Sequence, residues 1–267
     1  MINSAKEFIM SKTNIVPEIG LILGTGLSSV SEMLINPVII DYSDIPGFVS
    51  STAPGHKGRL IFGSLNGKQI VIMQGRLHFY EGYTMEQITF PIRILKAIGV
   101  KTLIITNAAG SLNQNLIPGD VVIIKDHINF TGTNPLIGKN DDNFGERFPS
   151  MHEPYNMHLR SLAQSISEEY SLNLKTGIYV AVSGPSLETK SECLMFKHLG
   201  ADLVGMSTVP EVIVAVHAGF TIMGISIVTN LSNIFHSESH SQEEIRQNAG
   251  KAKNKLEILI KNLIRDI

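Results

Sequence analysis

The chain has a single cysteine, Cys193, which excludes an intramolecular disulfide framework and a cysteine-based zinc site and suits a reducing cytosol. Charge is sparse as well. Asp, Glu, Lys and Arg make up 17% of 267 residues, below the ~25% usual in soluble chains, and mean hydropathy is +0.13. With 43% apolar residues the chain can bury one large core, so disorder is excluded; the low charge implies that a partner subunit covers some apolar surface. Lys and Arg number 22 against 24 acidic residues. No basic excess is present to meet a nucleic-acid backbone or an anionic membrane, and neither is expected as a partner.

Long hydrophobic runs are also missing. The most apolar stretch, Val212 to Val228, is interrupted by His217, Gly219, Thr221, Gly224 and Ser226 and falls short of the ~20 residues of a membrane span. It reads as a helix stopped at Gly219 and followed by a buried strand. The opening residues Met1 to Met10 lack a cationic segment leading into an apolar run, so no secretory signal is expected and the location is expected to be cytoplasmic. There is no internal repeat and no Gly/Ser or Pro linker, which favours one domain over residues 1–267. The nine histidines invite a metal reading, but no HExxH occurs, and His236 and His240 stand four apart in a segment too polar for a helix; no metal site is expected. Cys193, in an apolar helical stretch, reads as a packed thiol rather than a nucleophile.

What is present is an alternation of short apolar runs and helical patterns, the mark of an α/β domain. Strands are expected at Ile19–Leu23, Arg59–Leu65, Gln69–Met73, Thr102–Thr106, Val121–Lys125, Gly177–Val182, Leu203–Gly205 and Thr221–Thr229. Asn66-Gly67 is a hairpin signal, so the sheet must be mixed. Thr84 to Gln87 forms a capping box ahead of a helix that Gly99 stops, with a kink expected at Pro91. Ser241 to Glu244 forms another, opening a C-terminal helix that carries Leu256, Ile260 and Leu263, and a further helix is expected from Glu188 to Leu199. Residues Gly132 to Glu153 form one long loop of the kind that is often functional.

The strand exits carry the chemistry. Six strands run into small or polar residues: Gly24-Thr25-Gly26, Gln74-Gly75-Arg76, Asn107 to Ser111, Ser183 to Ser186, Met206-Ser207-Thr208 and Asn230. Ligands of open α/β sheets bind where such exits converge, so one shared pocket is expected. Any single exit reads first as turn chemistry, and it is the six together that point to a pocket. Gly24-Thr25-Gly26 is an incomplete dinucleotide fingerprint, with Ser29 at the third glycine position, and no triphosphate P-loop motif occurs. The Thr25 hydroxyl, Arg76 as a two-pronged donor and Ser207 at a helix start instead suit inorganic phosphate, although a lone arginine could equally serve a surface salt bridge. In an extended chain, Arg76, His78 and Tyr80 share one side.

Six blocks in order, Leu23 to Leu27, Pro54 to Leu60, Gln74 to Tyr83, Thr106 to Gly110, Gly184 to Thr189 and Gly205 to Glu211, closely resemble the trimeric purine nucleoside phosphorylase family. The resemblance spans nearly the whole chain. It implies a mixed twisted β-sheet, partly barrel-like and flanked by helices, in a homotrimer that converts a purine nucleoside and phosphate to free base and (deoxy)ribose 1-phosphate, a pentosyl transfer needing no metal or organic cofactor. Position by position, it implies phosphate ligands at Thr25, His56, Arg76, the Ala108 amide and Ser207. It places His78, Tyr80 and Met206 at the ribose, Glu188 and Asn230 at the base, and Phe148 in a neighbouring subunit's site. Asn230, Glu188 and His78 are the residues expected to serve catalysis.

Three places depart from the pattern: Thr25 stands where family members commonly carry Ser, Leu187 stands where mammalian relatives carry a phenylalanine near the base, and Leu231 to His240 matches poorly, with His240 the candidate for the ribose 5′-hydroxyl. Relatives acting on methylthioadenosine carry Asp at the Asn230 position and lack the Glu188 carboxylate, which counts against that activity. A nicotinamide-dependent oxidoreductase would need the glycine that Ser29 replaces, and a non-catalytic nucleoside-binding module would not need the full phosphate set.

Overall fold

The computed structural model describes residues 1–24, 28–53, 55, 57–236 and 241–267. Nine strands among them form one sheet: β1 (Ile19–Leu23), β2 (Ile35–Asp41), β3 (Arg59–Leu65), β4 (Lys68–Gln74), β5 (Thr102–Ser111), β6 (Val121–Phe130), β7 (Lys175–Val182), β8 (Leu203–Gly205) and β9 (Thr221–Leu231). Their order is β2-β3-β4-β1-β5-β8-β7-β6-β9, and β9 pairs back onto β5. Strands β5, β8, β7, β6 and β9 therefore close into a ring, from which β1, β4, β3 and β2 extend as an open sheet. The sheet is mixed, with β1 parallel to both β4 and β5, and β3 antiparallel to β2 and β4. The β3–β4 hairpin turns at Asn66 and Gly67, with φ of 51° and 78°, the positive values that the dipeptide predicts.

Helices α1 (Ile2–Lys12), α2 (Met85–Ala97) and α5 (Val209–His217) pack into the core on one face of the sheet, and α3 (Met157–Glu169) and α7 (Lys253–Asp266) into the core on the other, with α5 and α3 lying against β6 and β9. Strand β1 shows why: Ile22 belongs to the first core, while Ile19, Leu21 and Leu23 belong to the second. Burial on both faces accounts for the uninterrupted apolar run of this strand. Helices α4 (Lys190–His198) and α6 (Gln242–Lys251) lie nearer the ring exits. In α2 the Thr84 hydroxyl accepts from the Gln87 backbone N–H and the Gln87 side-chain Oε1 accepts from the Thr84 N–H, and the helix runs unbroken with Pro91 inside it.

Several boundaries differ from the sequence expectation. Strand β5 continues through Asn107–Ser111 and β9 through Asn230 and Leu231, so two of the six exits are themselves strand, held by pairing around the ring. The helix expected from Glu188 starts at Lys190, because Thr189 is its N-cap and Glu192 completes a capping box. The C-terminal helix is two helices that meet at Ala252. Strand β2 carries no apolar alternation because it lies at the sheet edge, with Pro37 and a register shift between Ile35 and Val38. The long loop holds, since residues 131–156 contain neither helix nor strand.

Candidate active site

One cleft receives residues from five of the six exits, Gly24 after β1, Arg76 after β4, Ala108 to Gly110 within β5, Met206 and Ser207 after β8, and Asn230 within β9; after β7 it is lined not by Ser183 to Ser186 but by Leu187 and Glu188 just beyond them. Gly24 permits this convergence. A Cβ there would stand 2.8 Å from the Asn107 Cα, so β1 ends against β5 only because the side chain is absent. Thr106 bridges the two strands, its hydroxyl accepting from the Gly24 N–H at 3.0 Å and donating to the Ile22 carbonyl at 2.9 Å.

Arg76 anchors one end of the cleft. It is 1% exposed, pairs through Nε with Glu211 Oε1 at 3.3 Å and donates through Nη1 to Ser207 Oγ at 3.1 Å. Ser207 is turned inward by strain. Thr208 has φ 70° and ψ −56°, and the Val209 N–H donates to the Ser207 carbonyl at 2.7 Å, which together make a γ-turn of the rare positive-φ form. A β-branched residue in that conformation costs on the order of 1–3 kcal/mol. Asn107 Nδ2 donates to Thr208 Oγ1 at 2.8 Å, and the Ser207 N–H donates to Tyr179 Oη at 3.3 Å. Burial lifts the Tyr179 hydroxyl to about 12 despite the bond to Ser207, so it stays protonated at neutral pH. The result is a buried cation beside a hydroxyl at the start of a helix, a geometry suited to a compact anion.

Next along the cleft, His78 and Tyr80 stack with ring centroids 4.7 Å apart and planes inclined by 16°. The chain here is a short helical turn, and its first residue, His78, is held by Glu81. The Glu81 carboxylate accepts from the His78 N–H at 2.8 Å and lies 2.9 Å from Nδ1, while its other oxygen accepts from the N–H and hydroxyl of Thr52. Burial alone would raise this carboxyl, but the His78 and Thr52 hydrogen bonds hold it down at about 2. It is therefore a fixed anion that orients the imidazole.

At the far end, Asn230 is aimed by a bulge. In the β5–β9 ladder Ala109 faces Val228 and Gly110 faces Asn230, so Thr229 is the extra residue. A one-residue slip turns the following side chain to the other face of a sheet. The Thr229 hydroxyl donates to Asn230 Oδ1 at 3.0 Å, and Gly110 leaves room for the amide, since a Cβ there would lie 3.2 Å from Nδ2. Glu188 is half-buried, and that burial raises its carboxyl above the usual range. Met206 packs against Gly184, and Leu187 is 44% exposed at the cleft edge.

Of the residues expected from the sequence, Arg76, His78, Tyr80, Ala108, Leu187, Glu188, Met206, Ser207 and Asn230 share this cleft. Phe148 does not. It is 83% exposed on the long loop, with the Arg147 guanidinium 5.7 Å from its ring. Thr25, His56 and His240 lie outside the described residues. Sequence reasoning gave no role to Glu81, Glu211 or Tyr179. His78 to Glu81 has capping-box spacing, which could have signalled the first; the other two meet the site through chain-distant partners. Cys193 is buried in α4, as read from the sequence. Among the described residues, no group of three or more His, Cys, Asp or Glu side chains could hold a metal ion, and no helix is long and apolar enough to cross a membrane.

The closed ring, the flanking open sheet and a cleft at the strand ends define an α/β fold of the nucleoside phosphorylase kind. The chain belongs to the phosphorylase superfamily, whose profile matches residues 18–265. Purine nucleoside phosphorylase 1 of Bacillus subtilis is 47% identical over 263 residues, covering 98% of this chain and 97% of its own. The purine nucleoside phosphorylase of Bos taurus is 45% identical over 269 residues, covering 98% and 93%. A solved structure of the Schistosoma mansoni enzyme in complex with inosine has a TM-score of 0.94 at 39% identity, covering 100% of this chain and 96% of that one.

Proposed function

We propose that the chain catalyses the phosphorolysis of purine nucleosides, inosine and guanosine and their 2′-deoxy forms foremost, to free base and (deoxy)ribose 1-phosphate. The observation that carries this reading is the presence, in one cleft, of the Arg76–Ser207 corner at one end and the Glu188 carboxylate and Asn230 amide at the other. Phosphate would sit against Arg76, Ser207 and the Ala108 amide, with Thr25 and His56 as further ligands. The sugar would lie over His78, Tyr80 and Met206, with its 5′-hydroxyl toward His240, and the base would lie against Glu188, Asn230 and Leu187.

The chemistry follows from charge. Cleavage of the glycosidic bond leaves the sugar cationic and the purine anionic; a phosphate oxygen forms the new bond to C1′ as N9 departs with the electron pair. An Asn230 amide donating to N7 stabilises the charge growing on the base more than it stabilises the neutral nucleoside, so it acts on the barrier. Arg76 and its neighbours position the nucleophile. Glu188, ionised, accepts the N1 proton of a 6-oxopurine; adenine offers an acceptor there and is disfavoured. The same reading includes no organic cofactor or metal, a cytoplasmic location, and a homotrimer in which Phe148 completes the pocket of the next subunit.

The test is a spectrophotometric panel of purified protein with inosine, guanosine and adenosine, with and without phosphate. Phosphate-dependent release of hypoxanthine and guanine is expected. Release that is absent, or equally fast without phosphate, overturns the assignment.

A further inference from the structure

The two groups assigned to the base reside on separate elements, Asn230 on β9 and Glu188 on the link between β7 and α4. The link is poorly tethered. Among the described residues, the one hydrogen bond joining residues 184–188 to another element runs from Asn233 Nδ2 to the Glu188 backbone carbonyl, at 2.6 Å. Asn233 itself stands on a well-seated turn. The Ser232 N–H donates to the Ser111 carbonyl at the end of β5, the Phe235 and His236 N–H groups close the turn onto the Ser232 carbonyl, and Ile234 packs on the core beneath α4. Lys197 of α4 lies 4.8 Å from the Phe235 ring centroid.

We propose that Asn233 is a positioning residue for purine recognition: it fixes the Glu188 main chain at a set distance from Asn230, three residues before it on the same strand exit. The inference rests on the phosphorolysis reading. Asn230 is held by the ring through its bulge, whereas Glu188 follows a segment whose backbone has no sheet or helix partner among the described residues, so the span between them depends on this contact. Among the described residues, no hydrogen bond joins Arg76 or Ser207 to Asn233 or to residues 184–188. Loss of the Asn233 contact therefore weakens the hold on the base and leaves the hold on phosphate intact, a split that general damage to the fold would not produce.

The experiment compares Asn233→Asp, which keeps the shape and removes the donor, with Asn233→Ala in the full chain. KM for inosine and the calorimetric Kd for hypoxanthine should each rise about five- to tenfold, the loss expected for one hydrogen bond, while KM for phosphate stays within about twofold. A nucleoside KM unchanged in both variants overturns the proposal, and so does a parallel rise of both KM values. If Asn233→Asp does not fold, Asn233→Ala carries the same test without adding a charge. A wild-type protein that fails to phosphorolyse inosine sinks the activity assigned above; an active wild type with indifferent Asn233 variants sinks this inference alone.

Discussion

The two ends of the cleft are built differently. At the phosphate end, Arg76, Ser207, Thr208, Glu211 and Asn107 form a continuous network in which partners lie as far apart in sequence as residues 76 and 211. Its members Arg76, Asn107, Thr208 and Glu211 are buried. At the base end, Leu187 is exposed, Glu188 is half-buried, and among the described residues their segment is hydrogen-bonded to the neighbouring exit by one side chain. A site for an ion of fixed shape can be rigid, and a network of that kind supplies rigidity. The base end instead stands on a turn, the kind of element that changes most readily between relatives.

The contrast can be broken most forcefully at Arg76. Arg76→Met leaves Glu211 buried without its cation, so the protein should lose about 3–5 kcal/mol of stability along with its phosphorolysis. Urea denaturation checks the first, and a small loss would show that the corner is not the rigid end. Asn230→Ala should leave the melting point nearly unchanged and lower kcat by about 10²–10³-fold with little change in KM, the pattern of an interaction made mainly in the transition state.

Glu188 should reveal itself through pH. Because burial raises its carboxyl, the inosine KM should climb as pH falls into a range above that of an ordinary glutamate, while the phosphate end keeps its ligands. Glu188→Gln should raise that KM by about tenfold and flatten the profile, as expected for one lost bond to a charged group. A profile that persists in the variant would assign the titration elsewhere. At Glu81 the comparison is read in stability rather than turnover. Its folded carboxyl titrates at about 2 against an ordinary 4.5, so its stabilisation is complete above pH 4.5 and disappears as pH falls toward 2. Glu81→Gln should therefore cost stability at neutral pH and shrink the gap from wild type in acid, as read by melting temperature across that range.

Much of this was legible in the sequence for identifiable reasons. The limits of β1, β3 and β8 and the β3–β4 turn follow from short-range patterns, and so does the cap of α2. The convergence of exits was legible because small and polar residues repeat after apolar runs. What escaped is what depends on the ring. Pairing around it carries β5 and β9 past their apolar cores, and the edge position of β2 removes the alternation that would have marked it. Glu211 and Tyr179 join the site only because the fold brings Arg76 and Ser207 beside them.

The sequence by itself determined that the chain is an α/β protein with one region of converging strand ends. It also determined the residue types available there, because composition, apolar period and turn chemistry are local properties. Only the tertiary structure decided that the sheet closes between β9 and β5, that a bulge at Thr229 aims Asn230, that a γ-turn at Thr208 aims Ser207, and that Asn233 reaches Glu188. Each of these joins residues distant in the chain or fixes a backbone conformation that its own sequence disfavours, and only the packing of the whole domain compensates such costs.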